Sequence, residues 1–445
     1  MATIVVMPFH WAADMNASFA LAKKLQNRGH RIFYLTIPDT EDRIRAQGFE
    51  WIPVFTQVFP KGELEKQSAS EVQGKAYGAA EFKARLRGMC ELLRNDEIGR
   101  ATSAIHPDLF LVSSGMPWVG IAACKTAIPV IQFSSNLISV EDWSVPPFRT
   151  HLVPDDSFLS TMRIMFAWKK LFLRRRFRNR AWDISGELRT LARDCGFPLD
   201  KIDFAVETWP RLRLPELVFC PKELDFPRRK NPEGAFFVEA SIDLQRKDDS
   251  FAWSRLDERR PIVFCALGSL LTTKAAPQAS RFFQMFLDAV RERPVLQAVV
   301  AIGSYLKPEE FNCPANALLV SHAPQIELLK RCAVMVGHGG LSSVKECIFM
   351  GVPMLLVPLS YDEPGNAARV VYHKIGLRLQ LEEVSAGTLG SCIDTLLEDG
   401  AYRENAKSMS QKFVEIEEQS PACEIIEKVL AEASGSFAKE PNPYH

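Results

Sequence analysis

The stretch Met335-Val336-Gly337-His338-Gly339-Gly340-Leu341-Ser342-Ser343-Val344-Lys345-Glu346 constrains this chain more than any other. An apolar run ends in a glycine turn and continues with helical spacing to Gly351, where glycine supplies a C-terminal stop. Pro353-Met354-Leu355-Leu356-Val357 then restarts an apolar run, so the unit reads as strand, helix, strand. Amides at such a helix N-terminus, with no Cβ on Gly339 or Gly340 to block approach, suit an anion such as a pyrophosphate, and His338 adds a hydrogen-bond donor. The same residues have a plainer reading. Ser343 and Glu346 stand three apart, in capping-box spacing, and that alone would give them a use.

Two further phrases change the balance. Ser321-His322-Ala323-Pro324-Gln325 precedes the glycine turn, and Pro358-Leu359-Ser360-Tyr361-Asp362-Glu363-Pro364-Gly365-Asn366-Ala367 follows the second strand. Three loops at the carboxyl ends of neighbouring strands point to one crevice, the place where open α/β sheets bind ligands. The order His-x-Pro-Gln, His-x-Gly-x-x-Ser with its later Glu, Gly-Val-Pro and Asp-Glu-x-x-Asn-Ala resembles the nucleotide-sugar signature of inverting glycosyltransferases. The resembled group is the GT-B class, which includes the UDP-glycosyltransferases and the macrolide and sterol glycosyltransferases.

That resemblance implies an α/β fold of two Rossmann-like domains facing a cleft. It implies that His338 and Ser343 contact the diphosphate, with Gly340 giving it room and Ser269, in a Gly268-Ser269 turn, approaching from a second loop. Glu346 would hold the ribose, Gln325 and His322 the base, and Asp362 with Glu363 the sugar hydroxyls. Two positions depart from the family pattern: His322 stands where an aromatic residue, often Trp, stacks on the base, and Glu363 stands where Gln is usual. A carboxylate accepts hydrogen bonds without donating them, so Glu363 favours a sugar that presents hydroxyl donors.

Length points the same way, since 445 residues exceed the usual single domain. Prolines and charges between 198 and 250 mark the interdomain region. The expected division is 1–225 for an acceptor-binding domain, 226–250 for a linker and 251–420 for a nucleotide-sugar domain. The resemblance adds a C-terminal helix, 421–433, returning to the first domain, and 434–445 reads as a frayed tail. Lys plus Arg and Asp plus Glu both total 54, so charge gives no footprint for nucleic acid. Ten cysteines lie scattered without a C-x-x-C pair. They read as reduced thiols, with no metal site or cofactor expected. The N-terminus lacks the basic lead-in of a signal peptide and no apolar run reaches spanning length, so the reading is a cytoplasmic protein.

The first strand, Thr3 to Met7, leads into Pro8-Phe9-His10-Trp11-Ala12-Ala13-Asp14-Met15-Asn16-Ala17, and helical spacing runs from Ala17 to Arg28. This loop resembles the family's first loop, which carries a catalytic His in most members and Asp in some. Asp14 takes that place, with His10 as the other candidate base. A carboxylate serves as base when desolvation raises its pKa, although Asp14 also suits a helix cap. Where the His form has a supporting Asp, before x-Pro-Trp, this chain has Ser113. Loss of both members of the His/Asp pair favours Asp14 over His10.

Residues 162–182 interleave Met165, Phe166, Trp168, Leu171, Phe172, Leu173, Phe177 and Trp182 with Lys and Arg. They read as a solvated helix with one packed face, or as a peripheral membrane contact. The expectation is an inverting transfer from a UDP-sugar, UDP-glucose by default, or a dTDP-sugar to a hydroxyl of a small lipophilic acceptor. A sugar-nucleotide epimerase of the same fold and a non-catalytic partner protein are the alternatives.

Overall fold

Unbroken apolar runs make the strands, because a parallel sheet covered on both faces offers them no solvated side. The computed structural model describes residues 1–72, 78–177, 180–244, 246, 251–268 and 276–436. In the first half lie β1 (Thr3–Met7), β2 (Arg31–Thr36), β3 (Glu50–Pro53), β4 (Leu109–Ser113) and β5 (Val130–Ser134). After a short antiparallel pair, β6 (Ile202–Asp203) and β7 (Arg211–Leu212), come β8 (Glu216–Val218) and β9 (Ala235–Phe237). The second half supplies β10 (Ile262–Ala266), β11 (Gln297–Ala301), β12 (Ala317–Val320), β13 (Cys332–Gly337), β14 (Met354–Leu356) and β15 (Gly376–Arg378).

The first sheet has the order β3-β2-β1-β4-β5-β8-β9 and the second β12-β11-β10-β13-β14-β15. All their pairings are parallel. Each sheet begins in its middle, grows outward to one side, then crosses back to the other, so strand order reverses between β1 and β4 and between β10 and β13. A crevice opens outside the carboxyl ends of the strands at each reversal. Register sets the depth of both: Met7 pairs with Val112, and Ala266 with Gly337.

One face of the first sheet packs Met15, Phe19, Leu21 and Leu25 of the Ala12–Asn27 helix together with Ala422, Cys423, Ile426 and Leu430 of the last helix, Pro421–Ser436. In the second half, Phe282, Phe283 and Phe286 of the Ala276–Arg291 helix bury against β10 and β11. Each ring contributes about 1.5–3 kcal/mol through burial. A further core cluster joins the halves, placing Leu137, Phe148 and Val218 with Val344, Ile348 and Phe413.

Three expected boundaries move. The first helix begins at Ala12, not Ala17; its N-cap is Trp11, which has no side-chain oxygen with which to announce a start. The first sheet continues past residue 225, because β9 lies inside the stretch taken as linker, 226–250, and pairs with β8. The last helix runs to Ser436, past the expected end at 433, while 437–445 lie outside the described residues.

Arg369 joins the two halves. It is fully buried in the Glu363–Tyr372 helix, and its Nε donates to Asp225 Oδ1 at 2.9 Å and its guanidinium NH2 at 2.5 Å, while Arg228 Nε reaches Asp225 Oδ2 at 2.7 Å. Phe148 and Phe226 flank the guanidinium at 5.0 and 4.5 Å. Burial pushes the Asp225 carboxyl up, but the two guanidiniums outweigh it and hold it below the usual carboxylate range. The ion pair therefore stabilises the fold at neutral pH, and that contribution fades as pH falls through the depressed value. Arg369→Met is expected to cost ~3 kcal/mol, since it leaves a buried carboxylate with one partner fewer. Urea denaturation at pH 7 checks this, and an unchanged midpoint would mean that the pair is energetically idle.

Candidate active site

Both crevices carry chemistry-bearing side chains. At the first, β1 hands over through Pro8–Trp11 to the Ala12–Asn27 helix, placing Asp14 in that helix's first turn, where the dipole favours a carboxylate. Asp14 is partly exposed and accepts hydrogen bonds from two buried serine hydroxyls, Ser113 at the end of β4 on Oδ2 and Ser135 just past β5 on Oδ1. Desolvation raises its pKa; the two hydroxyls, a backbone hydrogen bond at Phe9 and the Lys345 charge oppose the shift without cancelling it. His10 stacks on Phe9 with ring centroids 4.5 Å apart. Burial lowers its pKa to about 4, although Asp39 pulls the other way.

At the second crevice β10 ends before Leu267-Gly268 and β13 before His338-Gly339-Gly340, which opens the Leu341–Phe349 helix. The His338 ring lies between two glycines. A Cβ on Gly268, whose φ is +79°, would stand 2.4 Å from Cε1, and one on Gly340 would stand 2.6 Å from Nε2. Only bare backbone leaves room for the ring at this depth. Burial lowers the His338 pKa to about 4, so the imidazole is neutral at physiological pH.

Along the same helix, Ser343 and Glu346 meet Gln325, whose Nε2 donates to Ser343 Oγ at 3.2 Å and to the Glu346 carboxylate. Arg246 reaches the other Glu346 oxygen at 3.3 Å. Burial raises the Glu346 pKa, with Arg246 and Gln325 opposing. Between Ser343 and Glu346 in the chain, the buried Lys345 crosses to the other half, and its Nζ donates to the carbonyls of Phe219 at 2.6 Å and Ala240 at 2.9 Å, beyond β8 and β9.

The third loop closes over this site. Asn366 Nδ2 donates to Gly339 O at 3.0 Å and to Asp362 Oδ2 at 2.8 Å, tying the loop to the glycine turn. Burial raises the Asp362 pKa. Glu363 is buried, and its Oε2 accepts from the amides of Leu359 at 2.6 Å and Ser360 at 2.8 Å. Its pKa rises to about 7, burial being the main cause. Among the described residues, no group of three or more His, Cys, Asp or Glu side chains is placed to hold a metal ion.

A carboxylate at one switch point and a bare helix N-terminus at the other thus stand at the crevices of two Rossmann-like sheets, which Lys345 and Arg369 join. Residues 290–431 match the family described as Erythromycin biosynthesis protein CIII-like, C-terminal domain. The chain is 22% identical over 405 residues to the NDP-glycosyltransferase YjiC of Bacillus subtilis (strain 168), covering 90% of each. It is 23% identical over 430 residues to the demethyllactenocin mycarosyltransferase of Streptomyces fradiae, covering 95% of this chain and 85% of the relative. This protein is a GT-B glycosyltransferase. Its fold matches that of the glycosyltransferase VinC, solved in complex with dTDP, with a TM-score of 0.63, 18% identity and coverage of 93% and 96%.

Most of the residues singled out from the sequence lie at one of the glycosyltransferase's two crevices, and the plainer capping alternatives do not hold. Ser343 and Glu346 form no capping box, since Gly340 is the N-cap and receives no side-chain cap. Asp14 likewise does not cap its helix. Glu363, expected to offer its carboxylate to a sugar, has one oxygen committed to the amides of its own loop. His322 is exposed, and Ser269 lies outside the described residues. Ser135 went unnoticed, although its position just after an apolar strand run that ends in the crevice was a usable signal. Lys345 carried no signal, because a lysine in a helix ordinarily points to water.

Proposed function

We propose that this glycosyltransferase moves a sugar with inversion from a nucleoside diphosphate sugar to a hydroxyl of a small, lipophilic acceptor, with Asp14 as general base. The observation that carries the reading is Asp14, raised in pKa, held by Ser113 and Ser135 at one switch point, while a bare helix N-terminus with a neutral His338 stands at the other. In this mechanism the acceptor oxygen attacks the anomeric carbon in line, its proton passes to Asp14, and the bond from that carbon to the diphosphate oxygen breaks. The leaving diphosphate gathers charge, which the Gly339–Leu341 amides, a His338 N–H and the Ser343 hydroxyl meet without rearrangement.

Gln325 and Glu346 form a ready-made polar pair, and Glu346 is assigned to the ribose hydroxyls while Gln325 and His322 face the base. Asp362 takes sugar hydroxyls, and Glu363 shapes the loop beside it. UDP-glucose and dTDP-sugars are the donors to test first, the second because VinC was solved with dTDP. The mycarosyltransferase relative makes a small natural product the acceptor class of choice. His10, stacked and disfavoured from protonation, is the second candidate base.

Thermal melting in the presence of UDP, dTDP or GDP tests the donor site. One nucleotide at a hundred times its dissociation constant is expected to stabilise the protein by about 2.7 kcal/mol. If none of the three moves the melt, the donor-site assignment falls.

A further inference from the structure

Between Phe158 and Trp182 the chain carries eight Lys or Arg residues and no Asp or Glu, in a protein whose positive and negative side chains are matched overall at 54 each. Most of this stretch is one helix, Phe158–Phe177. Trp168 holds it down: the indole is fully buried, and its Nε1 donates to the carbonyls of Val145 at 2.9 Å and Asp142 at 3.1 Å. Ile164, also buried, faces the same way.

At about 100° per residue, Leu159, Phe166, Leu173 and Phe177 fall within roughly 40° of one another, on the side of the helix opposite Trp168. All four are far out of the protein, at 65%, 59%, 59% and 67% exposure, and Phe158 and Trp182 at either end add 76% and 48%. Exposed cations border this stripe, Arg163, Lys170 and Arg174 along one side and Lys169 along the other. Burial in the protein's own core therefore accounts for Trp168 and leaves the apolar stripe unexplained. Contiguous exposed apolar surface of this kind marks an interaction site.

We propose that the outer face of the Phe158–Phe177 helix docks the protein on an anionic lipid surface. Apolar side chains would enter the boundary between headgroups and acyl chains while the flanking Lys and Arg meet lipid phosphates. Charge complementarity selects lipid over an acidic protein groove, because four aliphatic or aromatic side chains in a line with cations on both flanks fit a planar, anionic, deformable surface. The helix contributes no spanning segment, and none of the described helices is long and apolar enough to cross a membrane. Docking here stands independently of the sugar donor and of the base. It does have a geometric consequence, since the Asp142 and Val145 carbonyls held by Trp168 belong to the loop whose Phe148 packs against Gly365 at the third site loop. A membrane-bound helix would thus hold the crevice close to the lipid surface.

Co-sedimentation of the full-length protein with vesicles tests the proposal, using phosphatidylcholine alone and phosphatidylcholine with about a third phosphatidylglycerol. Binding is expected on the anionic vesicles only, weakening as salt is raised. Removing Lys169, Lys170 and Arg174 together as Gln is expected to lower partitioning about a hundredfold, on the order of fivefold per cation. Phe166→Ser with Leu173→Ser is expected to lower it more than tenfold, by loss of buried apolar area. Since all five side chains are exposed, each variant should melt like the wild type, and a control carrying Lys230→Gln and Lys307→Gln should bind unchanged. No binding to anionic vesicles at low salt, or equal loss in the control, overturns the proposal. So does a dimer in solution that Phe166→Ser with Leu173→Ser dissociates, which would assign the face to a second copy of the chain.

Discussion

Asp14→Asn is expected to lower the transfer rate by about 10²–10⁴-fold while leaving nucleotide affinity unchanged. Geometry should survive the change, because an amide keeps one oxygen acceptor and a serine hydroxyl can rotate to accept from the new NH2 instead. The loss then reports on proton transfer rather than on collapse of the crevice. Burial raises the Asp14 pKa above the ordinary aspartate value near 4, so the basic form is lost at a higher pH than for an exposed carboxylate. In the wild type, kcat/KM should fall as pH drops through that raised value. The stability sign is opposite to that of Asp225. A raised folded pKa means that ionised Asp14 costs stability above that pH, so the Asn variant should melt no lower than the wild type at pH 7. Steady-state turnover and a melt at pH 7 decide the matter together. Turnover within tenfold of wild type rejects Asp14 as base, and a larger loss from His10→Ala moves the role to His10.

The second sheet was legible in the sequence because its strands, turn residues and helix agree at every level. Apolar runs, glycines at the turn and a polar phrase after each strand all point to a crevice, and the register of β10 with β13 places Gly268 and His338 at its mouth. The first crevice was harder to read. Its helix starts without a cap, so the residue pattern hid the five residues Ala12 to Asn16 in a loop and with them the placement of Asp14 in a first turn. Ser113 stood in the sequence as a missing aspartate. In the structure it is a partner of Asp14, which shows how a shifted carboxylate can be supported by a hydroxyl from the next strand.

What escaped the sequence entirely depends on contacts between elements far apart in the chain. Lys345 reaches the carbonyls of Phe219 and Ala240, and Arg369 finds Asp225, across more than a hundred residues in each case. Burial of a charge is decided by tertiary geometry, and neither periodicity nor motif spacing encodes it. The strand β9 was missed for a related reason: its three residues sit among prolines and charges that locally favour a linker, and pairing with β8 overrides that preference.

The His338 cradle gives the other large expected effect. If His338 donates to the leaving diphosphate as proposed, His338→Ala should lower kcat by about 10²–10³-fold. Because burial holds the His338 pKa near 4, the ring contributes as a neutral donor, and the pH profile should carry no step near the ordinary histidine value of about 6.5 that disappears with the side chain. Gly340→Ala should be worse. Its Cβ would stand 2.6 Å from the ring, whose Cε1–Nε2 edge Gly268 also approaches closely. Either the imidazole or the start of the Leu341–Phe349 helix must move, so nucleotide binding is expected to fall along with kcat. Combining the two substitutions separates the causes. With the ring gone, the added methyl meets no imidazole, and the double variant should bind nucleotide better than Gly340→Ala alone, a coupling that titration calorimetry reads directly. If the double variant binds no better, the methyl obstructs the diphosphate itself, and glycine is required at 340 by the ligand rather than by the histidine.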